Sequence, residues 1–540
     1  MVLGHGHRKN SVTGSSRGSI EGERSDIEGA DGDQTVVSEE QGNVLTHIIS
    51  QLRPGADLSR VTLPTFILEP RSMLERITNF MAHPETLLHL PTIDDPVERF
   101  AAVTKFYLSG WHIKPPGVKK PLNPILGEVF TGYWDYPDGT KGYYISEQTS
   151  HHPPKSSYFF MAPEHNIRID GTLKPRSKFL GNSVGSFMEG IAVMRFLNRG
   201  ERYFITQPNM YARGILFGKM KYELGDHAIV RSPELDMEAD IEFKVKGWVG
   251  GGYNAIAGFI KKSSTGKNLF ELSGHWNEKM YIKDLATGKK SEFFDATTAK
   301  PSIPKARPLE EQAPRESQRL WHATTQAIKK ADQKTATDEK SKIEDEQRRE
   351  AAERGDTPWQ PKLFRAVPPG DEENLDWIID AEVDHSAPVQ KQVEQILAIA
   401  PVLPGQKHSE AFDEAEKLPS QQGKTLPPQN GAQQEKNDLI DFGQNDGAND
   451  SGAAALQQAE RQPTNASAES APARAEAVGS SGAGQLQEPL VPTQSTPAAG
   501  VATQPLDYRN PTRPGKAPSG DELRRQDSIG GEDIFHDAES

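Results

Sequence analysis

The chain has 540 residues, of which 35% are hydrophobic, 47 are glycine and 40 are proline, and a formal net charge of −14. This composition describes a folded core flanked by low-complexity segments and argues against general affinity for nucleic acid or for an anionic bilayer. The absence of cysteine excludes disulfides, cysteine-ligated metals and thiol nucleophiles. No stretch is apolar for the eighteen or so residues a membrane span needs, and Met1–Lys9 lacks the apolar region of a secretory signal, so a cytoplasmic protein is expected.

Residues 1–40 are rich in Ser, Gly, Asp and Glu, the composition of a disordered arm. In residues 41–56, Val44, Leu45, Ile48, Ile49 and Leu52 share one helical face before Arg53-Pro54-Gly55 ends the helix. Such a face covers an ordinary core, the opening of a greasy cavity or a membrane surface. Residues 57–122 contain an extended apolar run, Leu58–Leu68, and then helical segments. The last of these opens at Asp95-Pro96 and sets Phe100, Val103, Tyr107, Leu108 and Trp111 at core spacing.

Over residues 123–300 the hydrophobic period becomes two, most cleanly in Asp240–Lys246. Turn chemistry such as Tyr136-Pro137-Asp138-Gly139 and Asn198-Arg199-Gly200 separates the runs. The fold class is therefore α+β, mainly antiparallel β, and a sheet this long should curl or close into a barrel that fills with side chains or encloses a ligand. Residues 301–385 turn helical and charged. Lys340, Glu344 and Arg348 fall along one helix face, ordinarily a solvated row of ion pairs. Trp359–Phe364 reads as an aromatic strap returning to the body. Residues 386–540 have the composition of a disordered tail, in which Asp438–Phe442 and Glu532–Phe535 are apolar-acidic islands available for protein docking.

Enzyme signals are weak. Gly181-Asn182-Ser183-Val184-Gly185 has nucleophile-elbow spacing, but the strand-like Ile191–Leu197 follows too soon to leave room for the helix that pattern requires. Adjacent histidines are hard to aim at one ion, and no His-Glu-x-x-His helix is present. The run Gly250-Gly251-Gly252 reads as a bulge or turn. Neither catalysis, a metal nor a cofactor is expected.

The densest local pattern is Glu147-Gln148-Thr149-Ser150-His151-His152-Pro153-Pro154. The prolines should stop a strand arriving through Tyr143-Tyr144-Ile145. Neighbouring strand residues point to opposite faces, so the chain must leave strand geometry here if both imidazoles serve one ligand. This octapeptide resembles the signature of the oxysterol-binding-protein-related lipid-transfer family. Lys120-Pro121-Leu122-Asn123-Pro124-Ile125-Leu126-Gly127-Glu128 extends the resemblance, which covers about residues 41–365. Leu58-Ser59-Arg60-Val61-Thr62-Leu63-Pro64-Thr65-Phe66-Ile67-Leu68-Glu69 is similar to the short fungal members that carry phosphatidylserine.

The resemblance implies a large near-closed lipid-binding β-barrel with an N-terminal lid, residues 41–54, and helical flanks. It implies that phosphatidylserine and phosphatidylinositol 4-phosphate occupy one cavity in turn and are exchanged through transient contacts with the endoplasmic reticulum and plasma membrane. By position, Lys120, Asn123, His151 and His152, joined by Lys340, Glu344 and Arg348, would contact the phosphoinositide head. Leu63, Thr65, Lys120, Asn123 and Ser177 would surround the phosphatidylserine head. Met81 stands where sterol-carrying relatives place an aromatic, which favours phosphatidylserine over a sterol, the alternative cargo. The other alternative is a lipid sensor or scaffold that transfers nothing. Ser291–Thr298 resembles the two-phenylalanine motif that tethers relatives to the endoplasmic reticulum, but Thr298, Lys289 and Lys290 replace its acids. The chemistry fits the resemblance: a phosphomonoester carries nearly two charges, for which imidazole, lysine and arginine supply charge-assisted hydrogen bonds.

Overall fold

Ahead of the sheet, the chain builds β1 (Gln34–Val36), the helix α1 (Glu39–Ser50), β2 (Leu68–Ser72), the short helices α2 (Met73–Arg76) and α3 (Pro84–Leu87), α4 (Pro96–Ser109) and β3 (Lys120–Leu122). The structure is a computed structural model that describes residues 34–36, 39–58, 61, 63–215, 219–246, 252–368 and 375–406. All of these belong to one unit, Met1–Asp446. Both apolar-acidic islands, the unit Gly447–Ser540 and Gly250-Gly251 lie outside the described residues. α4 begins as its sequence requires, with Asp95 Oδ1 accepting from the Val97 and Glu98 amides at 2.9 and 2.7 Å and Pro96 in the first turn. It buries Phe100, Val103, Tyr107 and Leu108, and Trp111, two residues past its end, is buried with them.

The alternating region forms β4 (Val129–Asp135), β5 (Lys141–His151), β6 (Pro154–Ala162), β7 (Ile167–Phe179), β8 (Ser183–Phe196), β9 (Glu201–Ile205), β10 (Asn209–Arg213), β11 (Lys219–Ser232), β12 (Met237–Lys244), β13 (Ala255–Lys262), β14 (Asn268–His275), β15 (Lys279–Asp284) and β16 (Lys290–Asp295). Together with β1 they make one antiparallel sheet of fourteen strands in nearly sequential order. Short turns favour this order, because adjacent antiparallel strands need no crossover. Phe130 and Trp134 of β4 and Phe293 and Phe294 of β16, at opposite edges, meet one hydrophobic core around α4, so the sheet curls around that helix. The chain beyond β16 then fills the remaining gap. Lys305 exchanges backbone hydrogen bonds with Tyr133 at 2.8 Å each way, and the Val129 amide donates to the Arg315 carbonyl at 3.1 Å. The expected near-closed barrel is thus completed by an irregular segment rather than by a fifteenth strand.

C-terminal to the sheet come α5 (Ser317–Leu320), α6 (His322–Lys329), α7 (Gln333–Arg354), β17 (Phe364–Ala366), β18 (Trp377–Ile379) and α8 (Val389–Ile399). Leu363, Phe364, Ile379, Ile396 and Val402 form a second core against Ile145, Phe159 and Met161 on the outer side of β5 and β6. These two strands are buried on both faces.

Two expectations need correction, and two weak motifs find their places in the sheet. The disordered arm was drawn through residue 40, but Gln34–Val36 pair with Lys219–Lys221, as the β-branched Thr35 and Val36 favour. The tail was drawn from residue 386, but ordered chain continues to Gln406 because Val389, Val393, Ile396 and Leu397 recur at helical spacing and pack on the second core. Gly181–Gly185 spans the β7–β8 turn, with Val184 paired to Phe179, so no nucleophile elbow exists there. Ser291–Thr298 is not a free peptide: a register shift between β15 and β16 lets both Phe293 and Phe294 bury themselves.

Candidate functional site

A cavity of about 1480 Å³ opens between the sheet, the N-terminal segments and α7. Its volume exceeds the roughly 300–1,000 Å³ of ordinary small-ligand pockets. Ile77, Phe80, Trp111, Leu173, Met188 and Met210 are among the side chains that make its walls apolar. α1 closes one side. Leu45, Ile48 and Leu52, at i, i+3 and i+7, line the cavity, and Leu45 and Leu52 pack with Phe179, Ile215 and Met220. Val44 lies on the flank of that stripe and is 44% exposed, while the Ile49 side chain lies outside the described residues. The segment after α1 is fixed to β7 by hydrogen bonds from the Gly55 amide to the Phe179 carbonyl at 2.7 Å and from the Leu58 amide to the Ser177 carbonyl at 2.9 Å.

Lys120, Asn123, His151, His152, Lys340, Glu344 and Arg348 all line this one cavity. They come from β3, the β5–β6 turn and α7, so the fold gathers residues more than two hundred positions apart. The chain does leave strand geometry at the signature. A register shift between Gln148 and Ser150 makes Thr149 a bulge, His151 ends β5 and β6 begins at Pro154. The two imidazoles consequently stand together, ring centres 4.5 Å apart. Gln148, Thr149 and Ser150 hold this turn: Ser156 Oγ donates to Gln148 Oε1 at 2.6 Å, Thr149 Oγ1 lies 3.0 Å from Ser157 Oγ, and Ser150 Oγ donates to the Pro153 carbonyl at 2.7 Å.

Cationic side chains outnumber acidic ones along the cavity lining. Burial, and secondarily the neighbouring His152, push the His151 pKa down to about 4, and its Nδ1 has no hydrogen-bond partner among the described residues. Lys120 is likewise pushed down by burial and then by the like charge of Lys340, with Asp57 opposing. Lys340 donates to Glu344 Oε1 at 2.5 Å, which orients the ammonium without neutralising the whole rim, and Arg348 pairs with the exposed Asp345. An anion entering here meets cations already desolvated and a neutral imidazole ready to take a proton.

Leu63 and Ser177 also line the cavity. Thr65 is not among the lining residues: its hydroxyl donates to Gln333 Oε1 at 2.7 Å and lies 3.3 Å from Thr337 Oγ1, tying the segment to the first turns of α7. Met81 is buried in the main core rather than in the cavity wall. Sequence reasoning missed Arg76, Asn79, Lys155, Arg354, Trp359 and Trp377, which line the cavity from separate elements. Only the strap containing Trp359 had drawn notice. No group of three or more His, Cys, Asp or Glu able to hold a metal occurs among the described residues.

Glu147, first residue of the signature, is fully buried and accepts from the Lys362 and Leu363 amides at 2.8 Å each, so it ties the strap to β5. Burial raises its pKa to about 7, although these amides and the Lys362 charge pull the other way. With the folded value above the unfolded one, its contribution to stability is complete below about pH 4.5 and is lost as pH rises through about 7. Glu147→Gln should therefore gain in Tm relative to the wild type between about pH 5 and pH 8. Thermal melts across that range check this, and a difference constant with pH would contradict it.

A cavity of this size, apolar inside and cationic at the rim, defines a lipid-binding protein. The sequence profile of the oxysterol-binding protein family matches residues 47–386. Oxysterol-binding protein homologs 6 and 7 of Saccharomyces cerevisiae are each 51% identical to the chain, over 380 and 381 residues; the spans cover 68% of this chain and 84% and 86% of theirs. The solved ORD domain of Osh1 in complex with cholesterol is similar at a TM-score of 0.54 and 20% identity, covering 70% of this chain and 98% of that one. The Osh3 ORD of Saccharomyces cerevisiae in complex with PI(4)P is similar at a TM-score of 0.50 and 21% identity, covering 67% and 94%. These structures share the fold. The chain belongs to the oxysterol-binding protein family, whose members bind and transfer lipids. No helix among the described residues is long and apolar enough to cross a membrane.

Proposed function

We propose that the protein exchanges phosphatidylserine for phosphatidylinositol 4-phosphate between two membranes, carrying one lipid at a time. The observation that carries this reading is the gathering of Lys120, Asn123, His151, His152, Lys340, Glu344 and Arg348 on one apolar cavity. A phosphomonoester with nearly two charges suits that rim, and the acyl chains gain shelter from water in the walls and under α1. Leu63 and Ser177 serve the phosphatidylserine head. Thr65 acts from outside the lining by holding its segment to α7. Both headgroups use Lys120 and Asn123, so the lipids exclude one another, and supply of one on one membrane with its removal on the other drives net movement of its competitor. The two membranes are assigned to the endoplasmic reticulum and the plasma membrane, with the tail available for docking.

Native mass spectrometry of the purified protein tests the cargo directly: a co-purifying mass of phosphatidylserine is expected, and a sterol mass would overturn that choice. Leu63→Asp should cut phosphatidylserine transfer between vesicles by about 100-fold or more. The new carboxylate must be desolvated without a partner when acyl chains or glycerol press against it, and each 1.4 kcal/mol is tenfold. Transfer persisting at the wild-type rate would refute the placement of this headgroup.

A further inference from the structure

The cavity-facing stripe of α7 does not end at Arg348. Ala351 and Arg354 continue it, the latter six residues on and about 9 Å further along the axis. Arg354 makes no ion pair among the described residues, and its guanidinium lies 5.7 Å from the ring centre of Trp359. Trp359 lines the same cavity, and its buried indole Nε1–H has no hydrogen-bond partner among the described residues. A buried donor without an acceptor is rare because it forfeits its hydration. Here the N–H and the guanidinium, neither of them paired among the described residues, belong to two side chains in cation–π contact. Such a contact leaves N–H groups of the guanidinium able to fork onto an oxyanion. The C-terminal end of a helix repels anions, so attraction at this point must come from the arginine.

The position of Trp359 is fixed from two sides. Gly127 permits the approach, since a Cβ there would stand 2.5 Å from the indole ring, and its φ of +74° also favours glycine. Glu147 fixes the strap through the Lys362 and Leu363 amides. Both motifs that border the histidine pair thus contribute to holding one tryptophan in the cavity wall.

We propose that Trp359 and Arg354 form a second anion-binding point that takes a phosphate group of the phosphoinositide head, with Glu147 as the positioning residue that holds it. This rests on the reading that a phosphoinositide enters the cavity. The pair serves that lipid rather than phosphatidylserine. α7 has 22 residues and spans about 33 Å. The segment of Leu63 and Thr65 is tied to its first turns, whereas Arg354 is its last residue.

The test is extraction of phosphatidylinositol 4-phosphate, and separately of phosphatidylserine, from vesicles by the full chain and by Trp359→Phe, Arg354→Gln and Glu147→Gln. Trp359→Phe keeps an aromatic ring on the strap and removes the donor, together with part of the indole that meets Gly127. Each of the first two variants should lose about tenfold in phosphoinositide affinity and less than about twofold for phosphatidylserine, with Tm unchanged. Glu147→Gln should weaken phosphoinositide capture, and the double variant Glu147→Gln/Trp359→Phe should be no weaker than the weaker single variant, because a positioning residue acts through its target. Additive losses would reduce Glu147 to a stabilising role. Inorganic phosphate that competes less well with Trp359→Phe than with the wild type assigns the point to any phosphate; equal competition with both confines it to the lipid head. Equal losses for both lipids, or none for the phosphoinositide, overturn the assignment. Should the wild type itself extract no phosphoinositide, the exchange reading falls first and this inference with it.

Discussion

Replacing His151 and His152 together with alanine should lower phosphoinositide extraction by about 100-fold or more while leaving phosphatidylserine uptake within about threefold. The two rings stand 4.5 Å apart on the cavity, and burial holds His151 neutral, with a pKa of about 4 and an unpartnered Nδ1. A bound phosphomonoester brings negative charge beside the rings and draws a proton onto the pair. Two charge-assisted hydrogen bonds, at roughly 1.5–3 kcal/mol each, account for a loss of two to four orders of magnitude. The sign of the pH effect follows. The imidazole pKa rises on binding, so affinity should increase as pH falls from about 8 to about 6, below which protonation of the phosphate itself offsets the gain. Vesicle extraction with labelled lipid at several pH values measures both effects. Equal loss for the two lipids would mean that the histidines shape the cavity rather than select its occupant.

Much of this was legible because the sequence states it locally. The hydrophobic period marks β4–β16, Asp95-Pro96 announces α4, and the prolines after His152 mark the end of β5. What was not legible depends on contacts between distant residues. Nothing near Glu147 indicates that its carboxylate holds amides 215 and 216 residues later. Gly127 looks like a turn glycine until Trp359 is placed against it. The resemblance places Thr65 at a headgroup by position, yet its hydroxyl meets Gln333 and Thr337 of α7. The row Lys340, Glu344 and Arg348 is indistinguishable in sequence from a solvated ion-pair face, and only the packing of α7 along the cavity changes its meaning. α8 failed for another reason: Val393, Ile396 and Leu397 were diluted by the polar composition around them, although their spacing was readable.

Glu128→Ala should be the most damaging single change to stability, lowering it by roughly 3–5 kcal/mol, against a total of roughly 5–15 kcal/mol for a folded domain. The Glu128 carboxylate is fully buried and meets four donors: Ser72 Oγ at 2.5 Å and Ser317 Oγ at 2.6 Å on one oxygen, and Trp321 Nε1 at 2.9 Å and the Ile125 amide at 3.0 Å on the other. Burial raises its pKa despite these donors. Alanine would orphan them together. Ser317 has a fallback in the Val129 carbonyl at 3.3 Å, but the indole and the Ile125 amide have none, and the cavity left behind adds to the cost. Glutamine should be milder, since its amide nitrogen can turn to the serine side and donate to hydroxyls that also accept, leaving its oxygen for the indole and the Ile125 amide. The consequence reaches function because the four donors belong to β2, the segment before β4, α5 and Trp321 at the α5–α6 junction. This hub joins the N-terminal segments to the helices that lead into α7 and its cationic stripe. Thermal melts of Glu128→Ala should show a fall of roughly 10 °C, with both lipids lost in parallel. Loss of the phosphoinositide alone, with Tm intact, would make Glu128 part of the headgroup site instead of the joint on which that site is mounted.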